Sequence, residues 1–376
     1  IEGDPNQINL TGDELYLEER RPFFAEGMEV FQAPLTILYT RRMEDIAYGA
    51  KAGGRFGTTN FGALYVRSDD FLRTAGAGVV TDGYGNPISV ESDHIALALR
   101  QDILGSANLA GYYAGLERGE DDYSRVAAMT FNAPVFGHGR ASAIAARTFN
   151  DGAGEDGAYR VDMEYERANS IVEASFEWIG EQFVPETGFV SEDRRGRVGG
   201  YLELDRDFQM GGDTVDEMNV DVYGGRYEGI DVTDRDYWYA GTSVATILEN
   251  RLRIGTSVSH TYDEIDYPDH PERTTGNLQL TTNLGAWSGY IASVSLGDYH
   301  NSTYYQGQGI ACLQPHERVT LDMRVTGVFL RDYEDVDWVV ERVRADWMIS
   351  RTTFLRLIAQ GENVRWGMEG GDLRSQ

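Results

Sequence analysis

Lysine is almost absent from this chain: Lys51 is the only one among 33 basic residues. With 61 acidic residues the formal charge is -28, and no segment gathers the arginines into the clusters that phosphate binding requires. Nucleic acid is excluded as a partner. Cysteine is as scarce, since Cys312 stands alone, which rules out an internal disulfide and a cysteine-based metal cluster. No run of eighteen apolar residues occurs, so membrane-spanning helices are excluded too. A basic and apolar leader is also missing. The chain opens Ile1-Glu2-Gly3-Asp4-Pro5 and reads as processed or partial.

Reaction-specific motifs are missing as well. The six histidines, at 94, 138, 260, 270, 300 and 316, show no His-Glu-x-x-His or related ligand spacing. There is no Gly-x-Ser-x-Gly elbow and no phosphate-binding Walker loop. Carboxylate pairs abound, but 61 acids bring some pair to glycosidase separation by chance alone. No catalytic residue, metal ligand or cofactor is therefore assigned. The acidic loops 151–157, 117–122 and 263–269 could offer oxygen ligands to calcium, yet none has the ordered spacing of a calcium loop. Solvated turns are the simpler reading.

What the chain does contain is alternation. Val172, Ala174, Phe176 and Trp178 interleave with Glu173, Ser175 and Glu177, so a strand would put an apolar stripe on one face and carboxylates on the other. The pattern returns at Val161 to Glu166, Val319 to Val325 and Val343 to Trp347. Gly and Asp clusters such as Asp82-Gly83-Tyr84-Gly85-Asn86-Pro87 punctuate it as turns. Candidate strands begin with 36–43, 46–56, 58–68 and 73–81 and end with 287–300, 317–332, 337–349 and 352–361; none is placed over 301–316. Many of these segments reach ten residues, longer than ordinary soluble strands and suited to a tilted membrane crossing. The fold class expected is an all-β, antiparallel transmembrane barrel of roughly 16 to 20 strands. A mean hydropathy of -0.41 is compatible, because only alternate residues of such a wall face lipid. On this reading Phe176 and its stripe face lipid, Glu173 and Glu177 face the lumen, and Tyr112, Tyr113, Tyr237-Trp238-Tyr239, Tyr262, Tyr299, Tyr304 and Tyr305 form interfacial girdles.

The first segment breaks the rule. Glu18-Glu19-Arg20-Arg21-Pro22-Phe23-Phe24-Ala25-Glu26-Gly27 packs charges, two rings and a proline that would interrupt a ladder. It is expected to form an irregular plug or anchor over 1–34, with the barrel over 35–376. Arg20 and Arg21 would meet lumen carboxylates such as Glu164, Glu173 and Asp322, and Phe23 and Phe24 would both pack beneath. Arg41 and Arg42 are further candidates for lumen contacts.

The blocks Asn6-Gln7-Ile8-Asn9-Leu10-Thr11, Glu19-Arg20-Arg21-Pro22-Phe23-Phe24-Ala25-Glu26-Gly27, Tyr39-Thr40-Arg41-Arg42, Gly49 to Gly57, Phe183 to Val190 and Phe354 to Gln360 occur in order along the chain. Together they resemble a family of bacterial outer-membrane barrels of unknown function, whose members commonly carry an N-terminal carbohydrate-binding module of the family-9 type. The resemblance implies the Gram-negative outer membrane and contact with its lipid, and it brings no catalytic or metal residue. No such module precedes Ile1, and the chain stops at Gly370 to Gln376 without the terminal aromatic strand usual in these barrels, so it reads as an internal portion. Three functional classes follow: a porin-like surface channel or docking protein for a small solute, glycan-derived in the case of the sugar-binding relatives; a membrane anchor within an envelope complex; or a secreted β-rich enzyme acting on glycans.

Overall fold

The computed structural model describes residues 16–367 except 73, 76–77, 80–88, 104, 119–121, 152–153, 192–193, 213, 231–235, 265–270, 283–287, 300–301, 333–334 and 351–352. The Asn6 to Thr11 block, the 82–87 turn, His270 and His300 lie outside the described residues, as do parts of all three acidic loops. A one-turn helix, α1 (Pro22–Ala25), and two 3-10 turns at Met28–Phe31 and Thr40–Arg42 precede the sheet. The first strands are β1 (Ile46–Phe56), β2 (Thr59–Leu72), a small ribbon of β3 (Thr74–Ala75) and β4 (Gly78–Val79), β5 (Ser89–Asp102), β6 (Asn108–Glu117) and β7 (Tyr123–Val135). Next come β8 (Gly139–Asn150), β9 (Gly154–Arg167), β10 (Ser170–Ile179), β11 (Arg197–Gln209), β12 (Val215–Gly229), β13 (Tyr237–Leu248) and β14 (Arg253–Asp263). The last six are β15 (Glu272–Thr281), β16 (Ser288–Tyr299), β17 (Ser302–His316), β18 (Val319–Arg331), β19 (Asp335–Met348) and β20 (Phe354–Gly367).

Eighteen of these strands form one up-and-down antiparallel sheet, each wall strand paired with the next along the chain. This is the membrane-spanning barrel expected from the alternation. Among the described residues no ladder joins β1 to β20. Short connections such as 57–58 and 168–169 lie at one end, while the described part of the long 180–196 connection lies at the other. The 249–252 turn is a tight hairpin: Leu248 N–H donates to the Leu252 carbonyl at 2.9 Å, and Asn250 Oδ1 accepts from the Leu252 N–H at 3.0 Å.

Three strand expectations need correction. Residues 36–43 are not wall but continue the internal segment, whose last turn ends at Arg42, so the wall begins at Ile46 rather than at 35. Among the described residues of the 73–81 stretch there are only the two-residue strands β3 and β4, outside the large sheet. The 301–316 stretch is a full wall strand, β17, paired on both sides. Its Gly-Gln-rich middle, Gln306-Gly307-Gln308-Gly309, has no charged residue to mark the lumen face.

Faces follow the predicted register. Phe176 is 54% exposed and its neighbour Glu177 only 5% exposed, so the apolar stripe looks outward and the carboxylate inward. Cross-strand partners share a face, and the outward row continues through exposed Leu202 and Leu204 on β11 and Val222 on β12. Around the other strands Leu97, Leu99, Met129, Val258, Leu278, Val294 and Val343 are likewise exposed. In water such a continuous apolar exterior would drive aggregation, and in a bilayer it is the solvated face.

Candidate functional site: the barrel interior

The interior has two unlike halves. Along β2 and β5 to β9 the inward positions are apolar and small: Leu64, Val66, Ala96, Ala98, Ala110, Ala114, Val126, Ala128, Ala146 and Ala158 are all buried. Phe24, Phe31, Leu35 and Ile37 of the internal segment pack on them in one cluster. Gly62 makes the closest approach possible, since a Cβ there would meet the Phe31 ring at 2.8 Å. Residues 16–45 are thus held on a dry inner wall. A wall of alanines leaves the depth that these larger side chains fill.

Each predicted site residue has a definite place. Pro22 opens α1 at its first position, where the missing N–H costs no hydrogen bond. The turn separates the two rings: Phe24 is 1% exposed, whereas Phe23 is 41% exposed and meets it edge-on with centroids 5.0 Å apart. Both rings were expected to pack fully, and only one does. Gly27 takes φ 67, a left-handed conformation that lets the chain turn from α1 into the next helix. Lys51, inward on β1, donates to the carbonyls of Phe23 and Glu26 and lies 5.3 Å from the Phe23 ring. The single lysine therefore clamps the segment.

Arg21 departs from expectation. Its guanidinium pairs with Glu19 at 2.8 Å, donates to the carbonyls of Thr40 (2.6 Å) and Met43 (2.7 Å), and stacks 4.4 Å from the Phe24 ring centre. The wall carboxylates proposed for it are engaged elsewhere or lie on other strands: Glu164 pairs with Arg140 and Asp322 with Arg324. A short-range partner within the same segment costs less ordering than a reach across a wet lumen, so the segment satisfies itself. Arg20 is exposed, Glu26 lends its carbonyl to Lys51, and Arg42 Nη1 donates to the Glu186 carbonyl at 3.3 Å. Arg41 is half-buried in the last turn of the segment. Glu19 also accepts from the Thr40 hydroxyl at 2.7 Å and from the Arg21 N–H at 2.8 Å. Burial would push its carboxyl up, but these donors outweigh burial and hold it at about 2.

The long 180–196 connection returns over the segment. Thr36 bridges Phe189, Tyr39 N–H donates to the Thr187 carbonyl at 2.7 Å, and the Thr187 hydroxyl donates to the Ile37 carbonyl at 3.0 Å. Tyr16, Tyr39 and Phe189 form an aromatic trio. Arg118 ties the same connection to the wall through Glu186, with Asp122 at 2.7 Å.

The second half of the interior, on β9 to β13, is polar and aromatic. Register sets it out in rows from the long-loop end: Gly199, Tyr227 and Tyr237; then Tyr201, Gly225 and Tyr239; then Glu203, Tyr223 and Gly241; then Asp205, Asp221 and Ser243. Above them Arg197 is 4% exposed, with its guanidinium 5.2 Å from the Tyr237 ring centre and 3.9 Å from Asp263. Buried Glu177 accepts from Arg194 at 2.6 Å and from Arg160 at 3.4 Å. Beside the strip, Arg140, Arg160, Asp162, Glu164, Glu173 and Tyr201 line a cavity of about 550 Å³. Tyr237 and Tyr239 thus face the interior, not the lipid interface, as does buried Tyr112, whose hydroxyl donates to the Gln32 carbonyl at 3.0 Å. Trp238 and Tyr262 do face outward and stack with centroids 6.2 Å apart. The alternation of tyrosine with glycine along these strands was the available sign of this strip.

Among the described residues no three histidine, cysteine or acidic groups assemble as a metal site. No family model matches this chain, and no curated protein does. Several solved structures are similar to it, two of them as follows. One is Pseudomonas aeruginosa OccK10 (OpdN), at 12% identity and a TM-score of 0.47, covering 80% of this chain and 91% of that one. The other is Acinetobacter baumannii OccAB3, at 10% identity and a TM-score of 0.44, covering 84% of this chain and 90% of that one.

Proposed function

We propose that this chain is a bacterial outer-membrane barrel that passes or docks a small solute, with residues 16–45 narrowing its interior. The observation that carries the reading is the asymmetry of the inner wall. The internal segment occupies the apolar side, and the side facing it keeps partly accessible carboxylates and tyrosines on β11 to β13. A barrel built only to be filled would have no use for an uncompensated acidic strip, because like charges facing across strands destabilise a sheet. With a surplus of carboxylates at its lining, the passage favours cations or neutral solutes over anions. Uncharged glycan-derived solutes fit that preference. The reading needs no catalytic group. Reconstitution in planar bilayers tests it: steps of conductance with cation preference are expected. Silent bilayers holding correctly folded protein would favour the second reading, a plugged anchor for an envelope complex, for which the dry packing of Phe24, Phe31, Leu35 and Ile37 is the supporting feature. Release of the protein without detergent would instead favour a secreted β-rich enzyme.

A further inference from the structure

The tyrosines of the strip recline on glycines. A Cβ on Gly225 would meet Cε1, Cζ and Oη of Tyr239 at 2.7 to 3.0 Å, and one on Gly241 would meet Cζ and Oη of Tyr223 at 2.5 Å. A ring lying over bare backbone has one face against the wall, which leaves the other to the lumen. Such a face carries the negative side of the ring quadrupole and attracts cations. The protein uses the strip this way itself, since Arg197 stands over Tyr237. Further along the strip, among the described residues, no cation covers Tyr223 or Tyr239. Their rings are 6.2 Å apart between centres. Here the surrounding charge is negative: Glu203 faces Tyr223 across the ladder, with Asp221 two residues away on the same face. Asp221 Oδ1 is buried without a hydrogen-bond partner, and its cross-strand neighbour is another carboxylate, Asp205. Asn219 serves Asp205, at 3.0 and 2.9 Å, and not Asp221.

We infer that Tyr223 and Tyr239, flanked by Glu203 and Asp221, form a binding site for an organic cation, a solute carrying an alkylated or protonated amine. The ring faces take its N-alkyl surface, and the carboxylates supply the counter-charge that facing acids otherwise lack. Arg197 repels the same charge from the other end of the strip. This places the site at the Tyr223 end. The inference deepens the solute-passage reading and rests on it for access to the lumen.

The test is equilibrium binding of choline to the detergent-solubilised barrel by calorimetry, with 3,3-dimethylbutan-1-ol as its uncharged isostere and maltotriose as a neutral sugar. Choline is expected to bind and the other two are not. Tyr223→Leu should weaken choline about tenfold while Tyr223→Phe, which keeps the ring, leaves it within about twofold. Gly241→Ala, which forces the Tyr223 ring off its seat, should act like Tyr223→Leu. Glu203→Gln with Asp221→Asn should also weaken choline. Heat-modifiable migration on gels identifies folded barrel for every variant; should Tyr223→Leu not fold, Gly241→Ala and the carboxylate pair decide. Equal binding of the uncharged isostere, binding of maltotriose without choline, or choline binding unmoved in all these variants overturns the inference. If the barrel conducts and choline does not bind, the site falls and the passage stands. If choline binds and bilayers stay silent, the reverse holds.

Discussion

Phe24→Ala separates two ways of anchoring the internal segment. The ring is 1% exposed, meets Phe23 edge-on, and carries Arg21 on its face at 4.4 Å. Truncating a buried phenylalanine costs about 3–5 kcal/mol where the surroundings cannot collapse into the space. Here they cannot, because the facing wall is made of short side chains such as Ala96, Ala98 and Ala128 on a hydrogen-bonded sheet. The loss should appear as local opening of residues 16–45 and not as unfolding of the barrel. A loss of ~3 kcal/mol raises the opened fraction roughly 100-fold. Arg21→Ala removes the pair with Glu19 and two donations to backbone carbonyls, but the side chain is a quarter exposed, and Glu19 keeps the Thr40 hydroxyl. Solvent screening leaves that change worth about 1–2 kcal/mol. Hydrogen exchange of peptides from 16–45, read by mass spectrometry on folded barrel, measures both. Phe24→Ala should open the segment by about fivefold or more beyond Arg21→Ala. The reverse order would show that charge, not apolar burial, is the anchor.

Three further outcomes are expected. Glu19 has its folded pKa at about 2 against an ordinary 4.5, so its contribution is complete above about pH 4.5 and is lost as pH falls through about 2; protection factors of 16–45, taken relative to intrinsic exchange at each pH, should fall across that window in the wild type, and Glu19→Gln should flatten the fall. Single cysteines at 176 and 173, in a Cys312→Ser background, should label oppositely: Phe176→Cys with a lipid-dissolved reagent and Glu173→Cys with a water-soluble one, since Phe176 is exposed outward and half-buried Glu173 lines the interior cavity; exchanged labelling would mean a one-residue slip of register. Reversal potentials in a salt gradient should show cation preference, reduced by Glu203→Gln with Glu173→Gln, whose parents face each other on β11 and β10; anion selectivity in the wild type would contradict the lumen placement of the acids.

Period-two alternation determined the architecture before any coordinate was known. Where a strand alternates charge with large apolar groups, as at Val172 to Trp178, both faces are legible, because one face must meet lipid and the other must meet water. The same logic failed where the inner face carries no charge. On β17 the lumen positions Gln306 and Gln308 alternate with glycine, leaving too little contrast to mark a strand. On β5 to β9 the inner face is alanine, which a lone sequence cannot tell from an outer one. Tyr237 and Tyr239 were placed at the lipid interface for a related reason, since a tyrosine suits lipid headgroups and a polar lumen equally well. Residues 19–27 were legible as a non-strand cluster through Pro22 and the paired rings, but their partners were not. Local proximity gave Arg21 to Glu19, and the fold alone gathered Phe24 into one buried cluster with alanines of β5 to β9 and brought Thr36 to Phe189. Sequence by itself therefore determined the wall, its lipid face and the existence of an interruption. Which half of the lumen is dry, what the interruption packs against, and which tyrosines meet carboxylates were decided by strand register and tertiary packing, because those bring together residues too far apart along the chain for any local period to relate.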